Sequence, residues 1–337
     1  TLARHFAENV DGDVLFAAFT GKAAQVLRSR GASNAKTIHS LIYRPRGEEA
    51  VEDEETGKTS VSPMFSINRQ SPVAKAALIV IDECSMVDEQ LGRDLMSFGT
   101  PILVLGDPGQ LPPVSGGGFF TEQEPDYLLT DIHRQARDNP IIQLAMHVRE
   151  GKEIMHGDYG TAQVISRNEV NQQLVLEADQ VLVGTNKTRR RYNQRLRELK
   201  GFSLPYPQSG DKLVCLRNDP AKGLLNGSLW QVMSSSRETV KPGINLMIRP
   251  EDDDMDRGAA KIKLLKQAFE EEGEIPWTTK KRYDDFDFGY ALTVHKAQGS
   301  QWNKVVLFDE SWAFRDTRER WLYTAITRAA ETITIVR

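Results

Sequence analysis

Several short clusters in this chain carry residue types that can work on a phosphate group. The first is Asp82-Glu83, which ends the apolar run Ala76–Ile81. A buried parallel strand that stops in two carboxylates delivers charge to its C-terminal edge, where open α/β sheets bind ligands. In phosphoryl-transfer ATPases one carboxylate there helps hold Mg²⁺ and a second orients the attacking water. A strand ending in a solvated acidic turn fits the same letters. The second cluster, Lys304–Glu310 (KVVLFDE), repeats the pattern and ends in Asp309-Glu310. Residue chemistry scarcely separates the two, although in a tandem arrangement the metal carboxylates belong to the earlier domain.

Ile102–Val114, ILVLGDPGQLPPV, runs from a buried strand into a Gly-Asp-Pro-Gly turn and then presents Gln110. That amide could sense a γ-phosphate or orient water, and a plain Gly-Pro turn is the alternative. Phe288–Trp302 places Thr293, His295, Lys296, Gln298, Gly299 and Ser300 close together. Crowded small donors, a cation and glycine favour phosphate contacts. Arg328, in TAITRA, is a cation among Ala, Ile and Thr. It needs a partner, which a nucleotide phosphate would supply. Asn186–Lys200 is the most basic stretch, and it reads as a solvated helix face rather than a DNA contact. Glu251–Asp254 reads as a solvated loop.

A phosphate-cradling loop of the form G-x-x-x-x-G-K-[ST] is absent from the chain as given. Gly21-Lys22, Gly57-Lys58 and Gly151-Lys152 have Phe16, Glu52 and Met146 where the first glycine belongs. The chain opens Thr1-Leu2-Ala3 rather than with Met, as though a helix were already under way. We expect sequence upstream of it.

The elements that must position these clusters alternate. Val14–Phe19, Ala76–Ile81, Pro101–Leu105, Gln180–Val183, Lys304–Phe308 and Thr332–Val336 read as strands. Helices are expected at Gly21–Arg30, Thr37–Tyr43, Glu89–Phe98, Pro140–Arg149 and within Asn186–Lys200, with Tyr127–Ile132 leading towards the fourth. Such alternation predicts parallel, doubly wound sheets. Arg44–Lys75, with Glu-Thr-Gly-Lys at its centre, predicts a β-hairpin, with an acidic loop as the alternative. Gly210–Asp285 differs in character. Short strands at Lys212–Leu216 and Ser228–Met233 flank Asn226-Gly227, and a charged helix is expected near Lys261–Glu272.

At 337 residues, 39% hydrophobic and 27% charged, the chain is long enough for two globular domains. Its net charge of −4 gives no global field for nucleic acid, so any such binding must be local. Cys84 and Cys215 make neither metal spacing nor a disulfide framework, which favours a reduced, cytoplasmic setting. No apolar run has membrane-spanning length.

Taken in order, the clusters resemble the motifs of superfamily 1 DNA helicases, most closely the RecD-like and Dda-like 5′-to-3′ branch. Phe19–Ala24 is similar to motif Ia, Thr37–Leu41 to Ib, Asp82–Val87 to II and Gly106–Val114 to III. His133-Arg134-Gln135 resembles motif IV, Thr293–Ser300 motif V and Tyr323–Ala329 motif VI. The ordered set is far more specific than any member.

The resemblance implies an α/β fold of two tandem RecA-like parallel-sheet domains, with ATP between them and single-stranded DNA across their tops. Residues 1–43 and 76–131 would form the first, with a hairpin pin at 44–75. Residues 132–209 and 286–337 would form the second, with an SH3-like β domain inserted at 210–285. Thr1 would follow the missing phosphate loop, Asp82 would hold Mg²⁺ and Glu83 would activate water. Gln110, Arg134 and Arg328 would meet the γ-phosphate, with Gly299 also at the nucleotide. Thr20, Lys22, Thr37, His39, Thr293, His295 and Lys296 would grip DNA. ATP, Mg²⁺, single-stranded DNA and its junctions with duplex are the implied ligands, with no membrane partner. The acidic residue that usually follows motif V is here Gln301. A nucleic-acid-binding module without ATP turnover, and a translocase that does not unwind, are the competing readings.

Overall fold

The computed structural model describes residues 5, 7–52, 59–113, 116–129, 138–235, 242–251, 258–270 and 275–337. Strands β1 (Val14–Ala18), β2 (Lys36–Thr37), β3 (Tyr43–Glu52), β4 (Thr59–Ile67), β5 (Leu78–Asp82) and β6 (Ile102–Val104) come first. They are followed by β7 (Gly157–Asp158), β8 (Ala162–Ile165), β9 (Gln180–Val183), β10 (Lys212–Cys215), β11 (Leu229–Ser235), β12 (Gly243–Pro250) and β13 (Ala260–Leu265). The last are β14 (Phe286–Phe288), β15 (Ala291–Thr293), β16 (Trp302–Phe308) and β17 (Ala329–Val336). The helices are α1 (Gly21–Ser29), α2 (Ile38–Ile42), α3 (Glu89–Met96), α4 (Pro140–Arg149), α5 (Gln172–Leu176), α6 (Asn186–Leu199), α7 (Gln267–Glu270), α8 (Trp277–Lys280), α9 (Val294–Ala297) and α10 (Arg318–Ile326).

Contacts gather the chain into two compact units, Thr1–Leu105 with Leu204–Asp287, and Gly106–Ser203 with Phe288–Arg337. The first holds a four-stranded sheet in the order β2-β1-β5-β6, parallel throughout. Phe16, Ala32, Ala35 and Val80 form the centre of one of its cores, with Val14, Leu78 and Leu103 against them. Because β5 is covered on both faces, it reads as an unbroken apolar run, and Asp82 is the first residue where charge is tolerated. β3 and β4 pair antiparallel from Tyr43↔Ile67 to Glu52↔Thr59, so the expected hairpin is present. Its Glu55–Lys58 centre lies outside the described residues.

The same unit contains the five-stranded sheet β13-β12-β11-β10-β14, in which the β10-β11, β11-β12 and β12-β13 pairs are antiparallel. The charged helix expected near Lys261–Glu272 is instead strand β13 followed by the short α7, with residues 271 and 272 outside the described set. Ala260, Ile262 and Leu264 are buried while Lys261 and Lys263 are exposed. That period of two is a strand pattern, and the lysines cap one face of it. Of the expected acidic loop, Glu251 is exposed and 252–254 lie outside the described residues.

The second unit carries a six-stranded sheet in the order β15-β9-β16-β17-β8-β7, parallel except for β7. Trp321, Ala325 and Ile326 of α10 are fully buried in this unit. α6 begins directly after β9 and presents Lys187, Arg190, Arg191 and Arg195 on its exposed side, as a solvated face requires. Among the described residues no helix is long and apolar enough to cross a membrane. Both cysteines are buried free thiols.

Candidate active site

β5 places Asp82 at its C-terminal end, half-buried, with its Oδ1 accepting from the Glu83 N–H at 3.0 Å. Glu83 then turns the chain with φ 55° and ψ 47°, the left-handed region. Such a conformation costs a non-glycine residue about 1 kcal/mol and persists where the surroundings impose it, often at functional sites. A turn of 3₁₀ helix follows over Cys84–Met86, anchored by the Cys84 N–H to the Leu105 carbonyl at 3.2 Å. Burial, and then the charges of Glu83 and Asp82, push the Cys84 thiol up to about 11, so it remains protonated and unreactive.

Among the described residues no group of three or more acidic, His or Cys side chains could hold a metal by itself. A single half-buried carboxylate fits the way Mg²⁺ is bound, through one or two carboxylates with phosphate and water completing the octahedron.

The look-alike pair is occupied otherwise. Glu310 Oε2 accepts from the Gly184 N–H at 2.7 Å and the Thr185 N–H at 3.0 Å. Its Oε1 accepts from the Thr188 hydroxyl at 2.5 Å. This carboxylate therefore closes the N-terminus of α6, where the helix dipole favours negative charge. A Cβ on Gly184 would lie 2.6 Å from Glu310 Cβ, so only glycine admits the side chain. Asp309 pairs with Arg337 Nε at 2.9 Å and accepts from the Ser311 N–H at 2.9 Å. Both are buried structural acids.

The loop after β6 is ordered by hydrogen bonds within the second unit. Asp107 Oδ1 accepts from the Gly109 N–H at 2.9 Å and Oδ2 from the Tyr323 hydroxyl at 2.6 Å. Burial and the Asp107 bond push the Tyr323 phenol up to about 12. The Gln110 N–H donates to the Asp107 carbonyl at 3.1 Å. Gln110 Oε1 is buried with no partner among the described residues. A buried amide oxygen without a donor is costly and is a natural place for a water or a ligand hydrogen. Leu111 is held on both sides, its N–H donating to Thr324 Oγ1 at 2.9 Å and its carbonyl accepting from Gln298 Nε2 at 3.1 Å.

Arg328 is buried, and three of its bonds are satisfied locally. Nε donates to the Thr324 carbonyl at 3.0 Å, Nη1 to the Ser300 carbonyl at 3.2 Å and Nη2 to Thr327 Oγ1 at 3.0 Å. Its partners here include the Thr324 carbonyl near the end of α10, a favourable place for a cation.

The threonines expected to grip DNA share one local geometry. Thr20, Thr37 and Thr293 cap α1, α2 and α9, accepting from the Ala23, Ser40 and Lys296 N–H groups at 3.1, 3.2 and 3.4 Å. A hydroxyl that accepts a cap bond still has its own hydrogen to donate. Lys296 is exposed and Lys22 half-buried, while Gly299 turns the chain at φ 75°. His39 packs tilted against Tyr43 and edge-on against the exposed Phe65, with ring centroids 4.5 and 4.7 Å away. His295 lies 5.4 Å from Phe314. Burial lowers the pKa of both imidazoles, opposed at His39 by Asp88. Thr1 and Arg134 lie outside the described residues. The residues that sequence reasoning left without a role are Asp107, Tyr323, Thr324 and the Leu111 peptide, joined only by the fold.

A family model described as an AAA domain matches residues 1–169, and one described as a UvrD-like helicase C-terminal domain matches 288–336. The ATP-dependent RecD2 DNA helicase of Deinococcus radiodurans is 27% identical over 355 residues, covering 96% of this chain and 43% of RecD2. The ATP-dependent DNA helicase dda of Enterobacteria phage T4 is 31% identical over 151 residues, 41% of this chain and 31% of dda. The chain thus spans less than half the length of either relative. Among solved structures, a Bacteroides Pif1 helicase in complex with ADP-AlF3 and ssDNA superposes with a TM-score of 0.57 at 18% identity, covering 99% of this chain and 85% of Pif1. The Candida albicans Pif1 helicase gives 0.55 at 16% identity, with 100% and 92% covered.

Proposed function

We propose a function from one premise: the chain belongs to the superfamily 1 helicases, in the branch that includes RecD2, Dda and Pif1. The intact protein is an ATP-dependent DNA helicase that moves 5′-to-3′ on single-stranded DNA. The observation that carries this reading is the contrast between two like strand ends. Asp309 and Glu310 are held in structural bonds, with Glu310 at φ −116°, whereas Glu83, next to Asp82 at the C-terminal end of β5, adopts a left-handed backbone.

In this reading Asp82 holds Mg²⁺, which when bound neutralises charge on the nucleotide phosphates. Glu83 takes a proton from the attacking water, and Gln110 meets the γ-phosphate through its unpartnered amide oxygen by way of that water. Arg328, and Arg134 with it, stabilise the transition-state charge as arginine fingers, and Arg328 exchanges local bonds for phosphate contacts to do so. Thr1 and Gly299 contact the nucleotide. Thr20, Lys22, Thr37, His39, Thr293, His295 and Lys296 hold the DNA, with the hydroxyls donating to phosphates. The β3-β4 hairpin is a strand-separating pin inserted in the first RecA-like domain, and the antiparallel sheet is an SH3-like module inserted in the second. The single strand and its junction with duplex are the partners. The structures of Pif1 with ssDNA and at forked dsDNA support that choice.

The test is ATP hydrolysis by the full-length gene product with and without single-stranded DNA, and strand displacement on duplexes tailed at either end. DNA-stimulated hydrolysis, lost on Glu83→Gln, and unwinding from 5′ tails only are expected. Turnover that ignores DNA or survives Glu83→Gln would refute the assignment.

A further inference from the structure

Leu111 lies beside Gln110 and has both faces of its peptide tied to side chains far along the chain. Thr324 Oγ1 receives its N–H and Gln298 Nε2 donates to its carbonyl. Leu111, Thr324 and Gln298 are exposed by only 1, 0 and 4%, so water is not at hand to replace either bond.

Each of the two side chains has a second connection. Gln298 is the C-cap of α9, its N–H donating to the His295 carbonyl at 3.4 Å. A single helical turn thus joins Gln298 to His295. Thr324 offers its own carbonyl to Arg328 Nε, and Arg328 Nη1 reaches the Ser300 carbonyl. On the other side of Gln110, Asp107 is fixed by Tyr323, adjacent to Thr324 on α10.

We propose that Gln298 and Thr324 are positioning residues that transmit the state of the Thr293–Ser300 segment through the Leu111 peptide to Gln110 and Arg328. Through them, single-stranded DNA on Thr293 and His295 sets the rate of hydrolysis. The inference rests on the helicase reading above. A chain of contacts is a path only when coupling along it is measured, so the test is a coupling measurement.

Thr324→Val removes the acceptor with little change of shape, Thr324→Ser keeps it, and Gln298→Met removes the donor at similar length. In the full-length protein, ATP turnover is measured with and without a short oligothymidylate, together with oligothymidylate affinity and Tm. Thr324→Val and Gln298→Met are expected to lower the ratio of stimulated to basal turnover about tenfold, the scale of one lost buried hydrogen bond. Thr324→Val leaves basal turnover and DNA affinity near wild type, and Thr324→Ser retains the ratio. The double variant falls no further than the weaker single one, because both act through one peptide.

A ratio unchanged in Thr324→Val, or basal and stimulated rates falling together, would overturn the relay while leaving the helicase reading intact. If Gln298→Met does not fold, the Thr324→Val and Thr324→Ser comparison decides alone. Wild-type protein without DNA stimulation overturns the functional reading itself, and the relay with it.

Discussion

Replacing Glu310 and Glu83 in parallel tests the proposal that the first carboxylate is structural and the second chemical. Glu310 is 8% exposed and takes two main-chain N–H groups and one hydroxyl at the start of α6. Glu310→Ala strands those two N–H groups in a buried site. At about 1–3 kcal/mol for each unsatisfied donor, with the dipole interaction lost as well, the expected cost is about 3–5 kcal/mol. Glu310→Gln can turn its amide oxygen towards the two N–H groups and its NH₂ towards the Thr188 oxygen, which accepts as readily as it donates. Only the charge assistance is lost, for about 1–2 kcal/mol.

Denaturant unfolding followed by circular dichroism reads these differences, and ATP turnover is assayed below the unfolding transition. Both Glu310 variants are expected to be less stable, with turnover per folded molecule retained. Glu83→Gln is expected to do the opposite, unfolding close to wild type while hydrolysis falls about a thousandfold or more, within the range for loss of a catalytic group. Glu310→Gln that abolished hydrolysis at unchanged stability would refute the sorting of the two acid pairs and move the chemistry to the second sheet.

The left-handed backbone at Glu83 makes Glu83→Gly more stable than Glu83→Ala by about 1 kcal/mol, though both are inactive; equal midpoints in denaturant would remove the argument for strain. Burial depresses the His295 pKa, so the unfolded chain takes up the proton first as pH falls. Stability is complete above the ordinary value of 6.5 and declines as pH drops through it; Tm against pH checks this, and His295→Gln should flatten the profile. Replacing residues 46–64 by a short turn is expected to spare DNA-stimulated hydrolysis and abolish strand separation. Unwinding at the wild-type rate on forked duplex would exclude the pin.

Elements with a strong period were legible from the letters alone. Gln180–Val183 and Pro140–Arg149 coincide with β9 and α4, because a buried strand and an amphipathic helix each repeat their signal along their length. Ala260–Leu265 carries an equally plain period of two, but its two lysines also suit a charged helix. Lysine on the solvent face of an antiparallel sheet satisfies the same alternation that apolar residues obey inside. The choice between Asp82-Glu83 and Asp309-Glu310 had no local signal. It depends on donors from Gly184 and Thr185, more than a hundred positions before Glu310.

Arg328 shows the same limit from the other side. Its letters say that a cation among Ala, Ile and Thr must find oxygen, and they are right. They do not say which oxygen. In the fold it meets carbonyls of Thr324 and Ser300 at once, so a residue suited to a phosphate is also a bolt between two motifs. The Leu111–Thr324 bond spans 213 positions, with no composition, spacing or periodicity linking its ends. Individual motifs are therefore readable because each must present its own chemistry. Apart from the Asp107–Tyr323 side-chain bond, the bonds described between them pass through peptide groups, which every residue possesses and no sequence letter marks.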